Sequence, residues 1–522
     1  MRRKVIRVIA AAMAVIMLAG CTAAPGNGTS DQTTAATAAE SKETSAAGTE
    51  NTADNSEAVT IKMTYLTSGT EPEGLDRIEA ALSELTMKKI NCKVELVPVA
   101  FADQATKYNM WFANGNDTDI MITVFLDYLA MINSGAFTEL DDLILEHGQE
   151  MLKKDEEKNF LSAGQYKGHQ YGIPTIPSAP GNGGAIYIRE DVFNELDVSG
   201  IDTNGYIGYE DLDKIFNQIS EKFPQYTALG VSGNRTKSNY FYVKNYDNLG
   251  VSGESGGVLI DPLNNTTVEN LYATDSYHEY LTWMRKWYEA GYISKDAATS
   301  SESSDTLFNS GKTASYINMS TPGTRESAER DAGFGVVQLN MCPTYMTTNV
   351  YTGVLFFVPK NAKYPEKAVE FLNILFTDAE IQNVLTHGEE GIDYTVQDNG
   401  VVIDLNEDRD YINVYGVWGD QSQYYMEAPL VPEDTQKREA YLQESLAHTS
   451  KAFGYKFDAT PVSTEQSMVK SVIAKYLTQL EYGTVDLDTV YPEFLKALES
   501  AGIDKIIAEN QRQLDEWIAQ QK

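Results

Sequence analysis

The sequence predicts an α/β fold with two lobes, each a sheet flanked by helices. Apolar and polar residues alternate over Ile61–Tyr65, as in a strand, and residues 75–85 repeat apolar side chains at helical spacing. Two further strand patterns, Val94–Val99 and Ile120–Val124, enclose a second helical stretch that reaches Trp111. This order of strand, helix, strand, helix and strand predicts a parallel sheet with helices on both of its faces.

A second strand and helix follow later in the chain. Ala185–Ile188 is a short apolar strand, and Asp191–Leu196 begins a helix. Two such units leave a crevice between them, and ligands of open α/β sheets bind beyond the carboxyl ends of the strands. Two later helices carry apolar faces, around Trp283–Trp287 and along Ile503–Ile518, and we assign both faces to packing and not to ligand binding.

The N-terminus has the composition of an export signal. Basic residues at positions 2, 3, 4 and 7 precede an uncharged apolar run that is too short to span a bilayer. The sequence Leu-Ala-Gly-Cys at 18–21 resembles the bacterial lipobox, in which the cysteine becomes the lipid-bearing first residue of the mature chain. We therefore predict a signal peptide over 1–20 and lipidation of Cys21. The low apolar content of residues 21–58 predicts a flexible tether.

Charge and composition limit the partners of the chain. The formal net charge is −34 at pH 7, so that polyanions such as nucleic acids are repelled. The histidines and cysteines do not have the spacing of a metal site, and we predict neither a metal nor a cofactor. Cys92 and Cys342 lie in apolar segments, which favours two buried free thiols over a disulfide between them.

Several segments carry a resemblance to a known family. Phe356–Tyr394 reads FFVPKNAKYPEKAVEFLNILFTDAEIQNVLTHGEEGIDY, an apolar strand followed by a helix that begins at Pro365 and turns Val369, Leu372 and Phe376 inward. It resembles the family 1 extracellular solute-binding proteins of ABC importers, the group that contains maltose-binding protein. Further matches are FANGNDTDIMI (112–122), SGAFTELDDLI (134–144), QYKGHQYGIPT (165–175), AIYIREDVFNELDV (185–198) and FNSGKTASYIN (308–318). The ending AGIDKIIAENQRQLDEW (501–517) is similar to a lipoprotein subfamily with a C-terminal region of unknown function.

The resemblance implies a two-lobed periplasmic-binding-protein-like fold whose lobes are joined by hinge strands. By this resemblance the first lobe comprises 59–175 and 352–425, and the second comprises 176–351 and 426–522. It implies a protein that captures a carbohydrate, in particular an oligosaccharide, by lobe closure and delivers it to an ABC permease. We expect a monomer, held by its lipid at the extracellular face of a Gram-positive cell membrane.

Candidate ligand-binding residues follow from the chemistry of sugars, which offer flat C–H faces to aromatic rings and hydroxyls to polar groups. We select residues in loops that follow predicted strands and in the crossover between the lobes. They are Ser68, Glu71, Phe125, Asp127, Tyr128, Tyr171, Asn182, Tyr415 and Trp418. Trp418 is the strongest candidate for stacking on a sugar ring, because it lies among turn residues and not on a helical stripe.

Two other functions stay open on the sequence. A binding lipoprotein for peptides or another small solute would share the fold and the closure of the lobes. A cell-surface glycosidase would need a pair of carboxylates at a fixed separation. With 75 acidic residues, adjacent pairs such as Glu389–Glu390 are expected on a solvated surface and carry no weight. We therefore predict a binding protein and not an enzyme.

Overall fold

The computed structural model describes residues 58–67, 72–115, 118–124, 126, 128–231, 246–250, 255–300, 302–405, 418–427 and 434–521. The strands of these residues range from two to nine residues in length. In chain order they are β1 (Val59–Thr67), β2 (Cys92–Ala100), β3 (Met121–Val124), β4 (Gln165–Tyr166), β5 (His169–Gln170), β6 (Gly172–Pro174), β7 (Gly184–Arg189), β8 (Thr227–Gly230), β9 (Tyr246–Asp247), β10 (Val258–Ile260), β11 (Val268–Glu269), β12 (Thr313–Met319), β13 (Val336–Cys342), β14 (Val354–Phe357), β15 (Tyr394–Val396), β16 (Val401–Asp404) and β17 (Met426–Glu427).

The longest helices of the described residues are the first one and two near the C-terminus. In chain order the helices are α1 (Leu75–Ile90), α2 (Gln104–Asn114), α3 (Leu129–Asn133), α4 (Asp141–His147), α5 (Gln149–Lys158), α6 (Glu190–Phe193), α7 (Tyr209–Lys222), α8 (Asp275–Glu289), α9 (Ser304–Asn309), α10 (Thr324–Ala332), α11 (Thr348–Thr352), α12 (Pro365–Leu375), α13 (Ala379–His387), α14 (Asp434–Ala447), α15 (Ser463–Glu481), α16 (Leu487–Ala501) and α17 (Ile503–Gln520). Among the helices of the described residues, none combines the length and the apolar character that a membrane span requires.

The first sheet has the order β2–β1–β3–β14–β6. β1 and β2 pair in parallel, and a parallel bridge between Met63 and Ile120 joins β1 to the start of β3. β14 lies between β3 and β6 and runs antiparallel to both. The predicted parallel arrangement is therefore correct for β1, β2 and β3 but wrong for the sheet as a whole. The reason is that β14 enters this sheet only after the chain has passed through the second sheet, and so arrives from the opposite direction.

The second sheet has the order β13–β7–β12–β8. β12 is parallel to β8, whereas β7 is antiparallel to both β12 and β13. The strand predicted at Ala185–Ile188 is the buried centre of β7. The helix predicted from Asp191 is wrong in extent, because α6 ends at Phe193. Residues 194–200 contain Asn, Asp, Ser and Gly, which favour turns, and α7 supplies the helix that packs on this sheet.

Two large apolar clusters define two lobes. The first cluster surrounds the first sheet and extends from Ile61 to Ile176 and from Met346 to Leu385, with Trp418 and Leu442 added. The second surrounds the second sheet and takes side chains from Ile186–Met341 and from Ala452–Leu514. We call the parts packed on these clusters the first lobe and the second lobe. Both lie within one compact unit of the chain.

Helix packing follows the apolar spacing of the sequence. Pro365 occupies the first turn of α12, and Val369, Leu372 and Phe376 are all fully buried, as predicted. Trp287 is fully buried in the second cluster, and Trp283 packs against the same cluster with its ring stacked on Tyr209 at 5.9 Å. The prediction that this tryptophan pair belongs to the core is confirmed.

The three C-terminal helices complete the second lobe. α15 and α16 pack on each other and on α8, while α17 contacts α15 and the small strand β11. Ile503 and Leu514 are fully buried on α17, whereas Ile507 and Ile518 are partly buried at the edge of the cluster. The predicted apolar stripe therefore packs inward, and the second core is built from residues that are far apart in the chain.

Candidate functional site

Three segments carry the chain between the lobes. The first, 175–183, joins β6 to β7, and the second, 343–353, joins β13 to β14. The third runs through the end of α14 to residue 452, where Leu442 packs in the first cluster and Ala452 in the second. The second and third segments are paired by a bridge between Met346 and Thr449.

Hydrogen bonds join the crossing segments to one another. The Asn182 side chain lies 3.5 Å from the Thr347 hydroxyl, and the Asn182 N–H donates to the Tyr345 carbonyl at 3.2 Å. The Gly183 N–H donates to the Tyr441 hydroxyl of α14 at 3.0 Å. The Thr344 and Ser445 hydroxyls are 2.8 Å apart. The crossing region is therefore an ordered polar layer in which amides and hydroxyls predominate.

Glycine is required where the first crossing segment meets α14. Gly181 has φ +153°, and a Cβ on it would collide with the hydroxyls of Ser445 and Thr344. A Cβ on Gly183 would collide with the hydroxyl of Ser320. The absence of side chains at both positions lets α14 and the end of β12 approach the crossing segment.

A cavity of about 250 Å³ opens at the carboxyl end of β12, next to this layer. The Ser320 N–H donates to the Gly183 carbonyl at 3.0 Å, which places the cavity beside the first crossing segment. This position matches the rule that ligands of α/β sheets bind beyond the carboxyl ends of strands. The cavity is lined by Ser320, Pro322, Gly323, Arg325, Glu326, Gln338 and Lys437.

The charges around this cavity are paired. Arg325 lies 2.7 Å from both Glu326 and Glu329. Lys437 lies 2.5 Å from Asp434, and that hydrogen bond raises the pKa of Lys437 above its usual value. Because each cation already has a carboxylate partner, the cavity offers polar groups without a free excess of positive charge. Such a lining suits a neutral polar ligand better than an anion.

A larger cavity of about 510 Å³ lies at the amino ends of β1 and β2, away from the crossing segments. Its Asp119 carboxylate accepts from the backbone N–H groups of Lys62, Lys363 and Tyr364 at 2.8–3.0 Å. These hydrogen bonds hold the loop before α12 on the first sheet. The arrangement gives Asp119 a structural role, and we do not regard this larger cavity as the binding site.

The residues selected from the sequence are distributed unevenly over the structure. Ser68, Glu71, Phe125, Asp127 and Tyr415 lie outside the described residues, as does the predicted lipidation site Cys21. Tyr128, Tyr171, Asn182 and Trp418 are described. Of the residues selected in the loops after β1 and β3, the structure describes Tyr128 alone. The ligand contacts expected in those loops stay predictions.

Trp418 lies in the first apolar cluster with only 1% of its surface exposed. Its ring stacks on Tyr65 of β1 at 5.9 Å with an interplanar angle of 14° and tilts against Phe356 at 6.3 Å. Its indole nitrogen is buried without a hydrogen-bond partner among the described residues. In this arrangement the ring supports β1 from within, and a stacking role toward sugar stays a prediction.

Asn182 and Tyr128 lie where the lobes meet. Tyr171 lies within the first lobe, directly after the hairpin of β4 and β5. The Tyr128 ring contacts the Lys456 ammonium of the second lobe at 3.7 Å and Phe357 of the first lobe at 5.2 Å. The Tyr171 hydroxyl donates to Glu139 at 2.8 Å, and burial, followed by this carboxylate, raises the pKa of Tyr171 to about 12.

The sequence selection missed residues of the C-terminal part that lie at the junction of the lobes. Lys456 and Asp458 both contact the first lobe. Their signal in the sequence is the alternation of apolar and charged residues in FGYKFD (453–458), which is typical of an extended segment with two different faces. Within the described part, no group of acidic, His and Cys side chains is arranged to hold a metal ion.

Comparisons with known proteins agree with the two-lobed fold. A family model of bacterial extracellular solute-binding proteins matches residues 80–388, and a model of a domain of unknown function matches 451–519. A carbohydrate ABC transporter substrate-binding protein of Streptococcus pneumoniae serotype 4 is 27% identical over 484 residues, which cover 90% of this chain and 93% of that protein.

Solved structures show the same fold. The N-glycan transport solute-binding protein NgtS of Streptococcus pneumoniae has a TM-score of 0.76 at 24% identity and covers 89% of this chain and 100% of its own. Its complexes with Man1GlcNAc and Man5GlcNAc, also at 24% identity, have TM-scores of 0.67 and 0.65. An HMO-binding ABC-transporter-associated protein of Bifidobacterium longum infantis has a TM-score of 0.62 at 15% identity and covers 89% of this chain and 100% of its own. The predicted two-lobed fold is confirmed.

Proposed function

The chain belongs to the bacterial extracellular solute-binding proteins, and from this premise we propose that it captures a carbohydrate outside the cell and delivers it to an ABC permease. The observation that carries the proposal is the match to a carbohydrate ABC transporter substrate-binding protein over nine-tenths of both chains. The N-glycan-binding and HMO-binding proteins with the same fold also support an oligosaccharide as the ligand.

The crossing region supports this proposal by its chemistry. Sugars present several hydroxyls that each need a donor or an acceptor, and the layer of Asn182, Thr347 and their neighbours supplies both. The cavity beside it has paired charges, which agrees with a neutral glycan. Closure of two lobes around a ligand is the established motion of binding proteins with this architecture.

We propose that the ligand contacts include Ser68, Glu71, Phe125, Asp127, Tyr128, Tyr171, Asn182, Tyr415 and Trp418, the residues selected from the sequence. Among the described ones, Asn182 has the strongest support, because it lies on a crossing segment and carries an amide suited to sugar hydroxyls. Tyr171 has the weakest support, since its hydroxyl already binds Glu139 within the first lobe. Replacement of Asn182 by Ala should therefore weaken binding more than Tyr171→Phe.

The N-terminal features complete the proposal. A signal peptide over 1–20, a lipid on Cys21 and a tether over 21–58 would hold a monomer at the outer face of a Gram-positive membrane while leaving it free to reach solutes and its permease. We further propose lobe boundaries at 59–175 with 352–425 and 176–351 with 426–522. The two apolar clusters support this division, because their buried members other than Ile176, Met346, Tyr351 and Leu442 fall within these ranges.

A peptide or another small solute is the first alternative ligand, and a glycosidase activity is the less favoured alternative. The first would keep the fold and the closure, whereas the second would consume the ligand. Thermal unfolding and chromatography of the ligand separate the three outcomes.

The test measures the thermal unfolding of the chain with Man1GlcNAc, Man5GlcNAc, maltotriose and a tripeptide. A ligand at 100 times its Kd stabilises the folded state by about 2.7 kcal/mol, which raises the melting temperature by several degrees. A rise with a glycan, with the glycan recovered intact, supports the proposal. A rise with the tripeptide alone would contradict a carbohydrate ligand, and loss of the glycan during the assay would show an enzyme.

A further inference from the structure

Residues Ala452–Asp458 lie between the two lobes, at the start of the region that matches a domain of unknown function. We call them the inter-lobe segment. They follow the third crossing segment and precede α15, and they belong to neither a helix nor a strand. Their side chains are divided between the two lobes.

The backbone of Phe457 and Asp458, at the end of the inter-lobe segment, is hydrogen-bonded to the second lobe. The Phe457 N–H donates to the Leu249 carbonyl at 3.0 Å. The Gln513 side chain of α17 accepts from the Asp458 N–H at 3.0 Å and donates to the Asp458 carbonyl at 2.9 Å. Tyr455 and Phe457 are buried in the second cluster, and the Tyr455 hydroxyl donates to the Asn510 side chain at 2.7 Å.

The alternate side chains of the same segment reach the first lobe. The Asp458 carboxylate accepts from the Tyr166 hydroxyl at 2.7 Å and from the Asn133 side chain at 3.1 Å. The Lys456 ammonium lies 3.7 Å from the centroid of the Tyr128 ring. Phe453 packs on the first cluster, with its ring 6.0 Å from that of Tyr351.

We propose that the inter-lobe segment holds the two lobes at the separation seen in this structure, and that this is a function of the C-terminal region. Phe457 and Asp458 move with the second lobe because their backbone bonds are there, whereas the Ala452 carbonyl and the Gly454 N–H bond to the Thr348 hydroxyl of the second crossing segment. The links of Lys456 and Asp458 to the first lobe are made by their side chains, so these links can be broken and remade without unfolding either core. Hydrogen bonds to a carboxylate are among the strongest of such links.

Burial and hydrogen bonding agree with this role. Asp458 is partly buried, and although burial opposes ionisation, hydrogen bonds from Thr460, Tyr166 and Asn133 lower the pKa of Asp458 below its usual value. The carboxylate is therefore ionised at neutral pH, when its hydrogen bonds to the first lobe are strongest.

The test measures the distance between the lobes without any ligand. Spin labels are placed on Glu146→Cys in α4 of the first lobe and Glu221→Cys in α7 of the second, both of which are exposed. The full chain carries Cys21→Ser, and the buried thiols of Cys92 and Cys342 are not expected to react. The distance distribution is then compared among variants by pulsed electron paramagnetic resonance.

Tyr166→Phe removes one hydroxyl, Asp458→Ala removes the carboxylate, and Lys456→Met removes the ammonium while keeping an apolar stem. The matched controls act within the second lobe alone. Tyr292→Phe removes a hydroxyl that donates to Asn217 at 3.0 Å, and Lys475→Met removes an ammonium 4.6 Å from the Tyr476 ring. Loss of a hydrogen bond to a carboxylate should change the ratio between molecules with the lobe separation seen here and molecules with other separations about tenfold.

The proposal predicts a narrow distance distribution in the unsubstituted chain and in both controls. Tyr166→Phe and Asp458→Ala should add a second or much broader distribution, and Lys456→Met a smaller change of the same kind. If Tyr166→Phe and Lys456→Met fold but leave the distribution as in the controls, the segment does not hold the lobes and the proposal is wrong. No ligand takes part in this measurement, so its outcome is independent of whether the chain binds a sugar.

Discussion

Single hydroxyl groups complete the first sheet where its strands diverge. The Tyr108 hydroxyl donates to the Ile122 carbonyl at 2.6 Å, and the Ile122 N–H donates to the Thr64 hydroxyl at 2.8 Å. These groups replace backbone pairs between β1 and β3 beyond the bridge at Met63. Burial raises the pKa of Tyr108 well above its usual value, so that the phenol stays neutral as a donor. Neither role can be read from residue type alone.

The thiols of Cys92 and Cys342 are both buried and form no disulfide, which confirms the prediction. Burial raises the pKa of Cys342 to about 11 and also raises the pKa of Cys92. In the unfolded chain the pKa of a thiol is about 8.5. A thiol whose pKa is higher than this in the folded state stabilises the fold at pH values below about 8.5. That contribution is lost as the pH rises from there toward 11.

We therefore expect the stability difference between the unsubstituted chain and Cys342→Ala to be constant from pH 6 to 8 and to shrink between pH 9 and 11. Urea unfolding at each pH measures this difference, and Cys92, present in both chains, serves as the internal control. In a chain that carries Cys21→Ser, a thiol reagent at pH 8 should react with neither Cys92 nor Cys342 until urea unfolds the chain. Rapid reaction of the native protein would contradict the burial of these groups.

At the scale of elements, the crossing segments depend on glycine for their close approach to α14. The left-handed φ of Gly181 and the hydroxyls of Thr344 and Ser445 leave no room for a side chain. Gly168 has a similar sign of φ, +83°, but has no atom near the position that a Cβ would take. Alanine substitutions at Gly181 and Gly168 therefore separate the free-energy cost of backbone strain from that of a steric collision.

Gly181→Ala should lower the free energy of unfolding by about 2–5 kcal/mol, the sum of strain and overpacking. Gly168→Ala, which adds strain alone, should lower it by about 1–2 kcal/mol. Both values come from urea unfolding monitored by circular dichroism. Equal losses in the two variants would show that the crossing segment can move away from α14 and that its packing is loose.

At the scale of the whole molecule, the C-terminal helices determine whether the second lobe has a complete core. Phe494 of α16 is fully buried and contacts the rings of Tyr272 and Tyr476 at 5.2 and 5.5 Å. Tyr491 of the same helix donates to the Tyr272 carbonyl at 2.7 Å. The region of unknown function is thus part of the second core and not an appended domain.

Phe494→Ala should lower the free energy of unfolding by about 3–5 kcal/mol, because it leaves a cavity in that core. Met468→Ala on α15, where the side chain is 44% exposed, is the control and should change it by less than about 0.5 kcal/mol. Denaturant unfolding of the full chain measures both. A loss in Phe494→Ala as small as that of the control would mean that the second lobe is stable without these helices.

The sequence predicted much of the fold for a local reason. Ile61–Tyr65, the helix that begins at Pro365 and the buried Trp287 follow from the spacing of apolar side chains along one strand or helix. Spacing within a segment does not specify its direction relative to distant segments, which is why the antiparallel β14 was missed. The short α6 was missed because a helical start at Asp191 is followed by residues that favour turns.

The sequence by itself determined the fold class, the burial of the two thiols and the resemblance to solute-binding proteins, because these depend on residue type and on patterns within short segments. Only the tertiary structure decided that Trp418 packs against Tyr65, and that Asp458 bonds to Tyr166, 292 residues earlier in the chain. Contacts between residues so far apart depend on how the crossing segments place the two lobes. That placement is a property of the assembled chain and not of any segment in it.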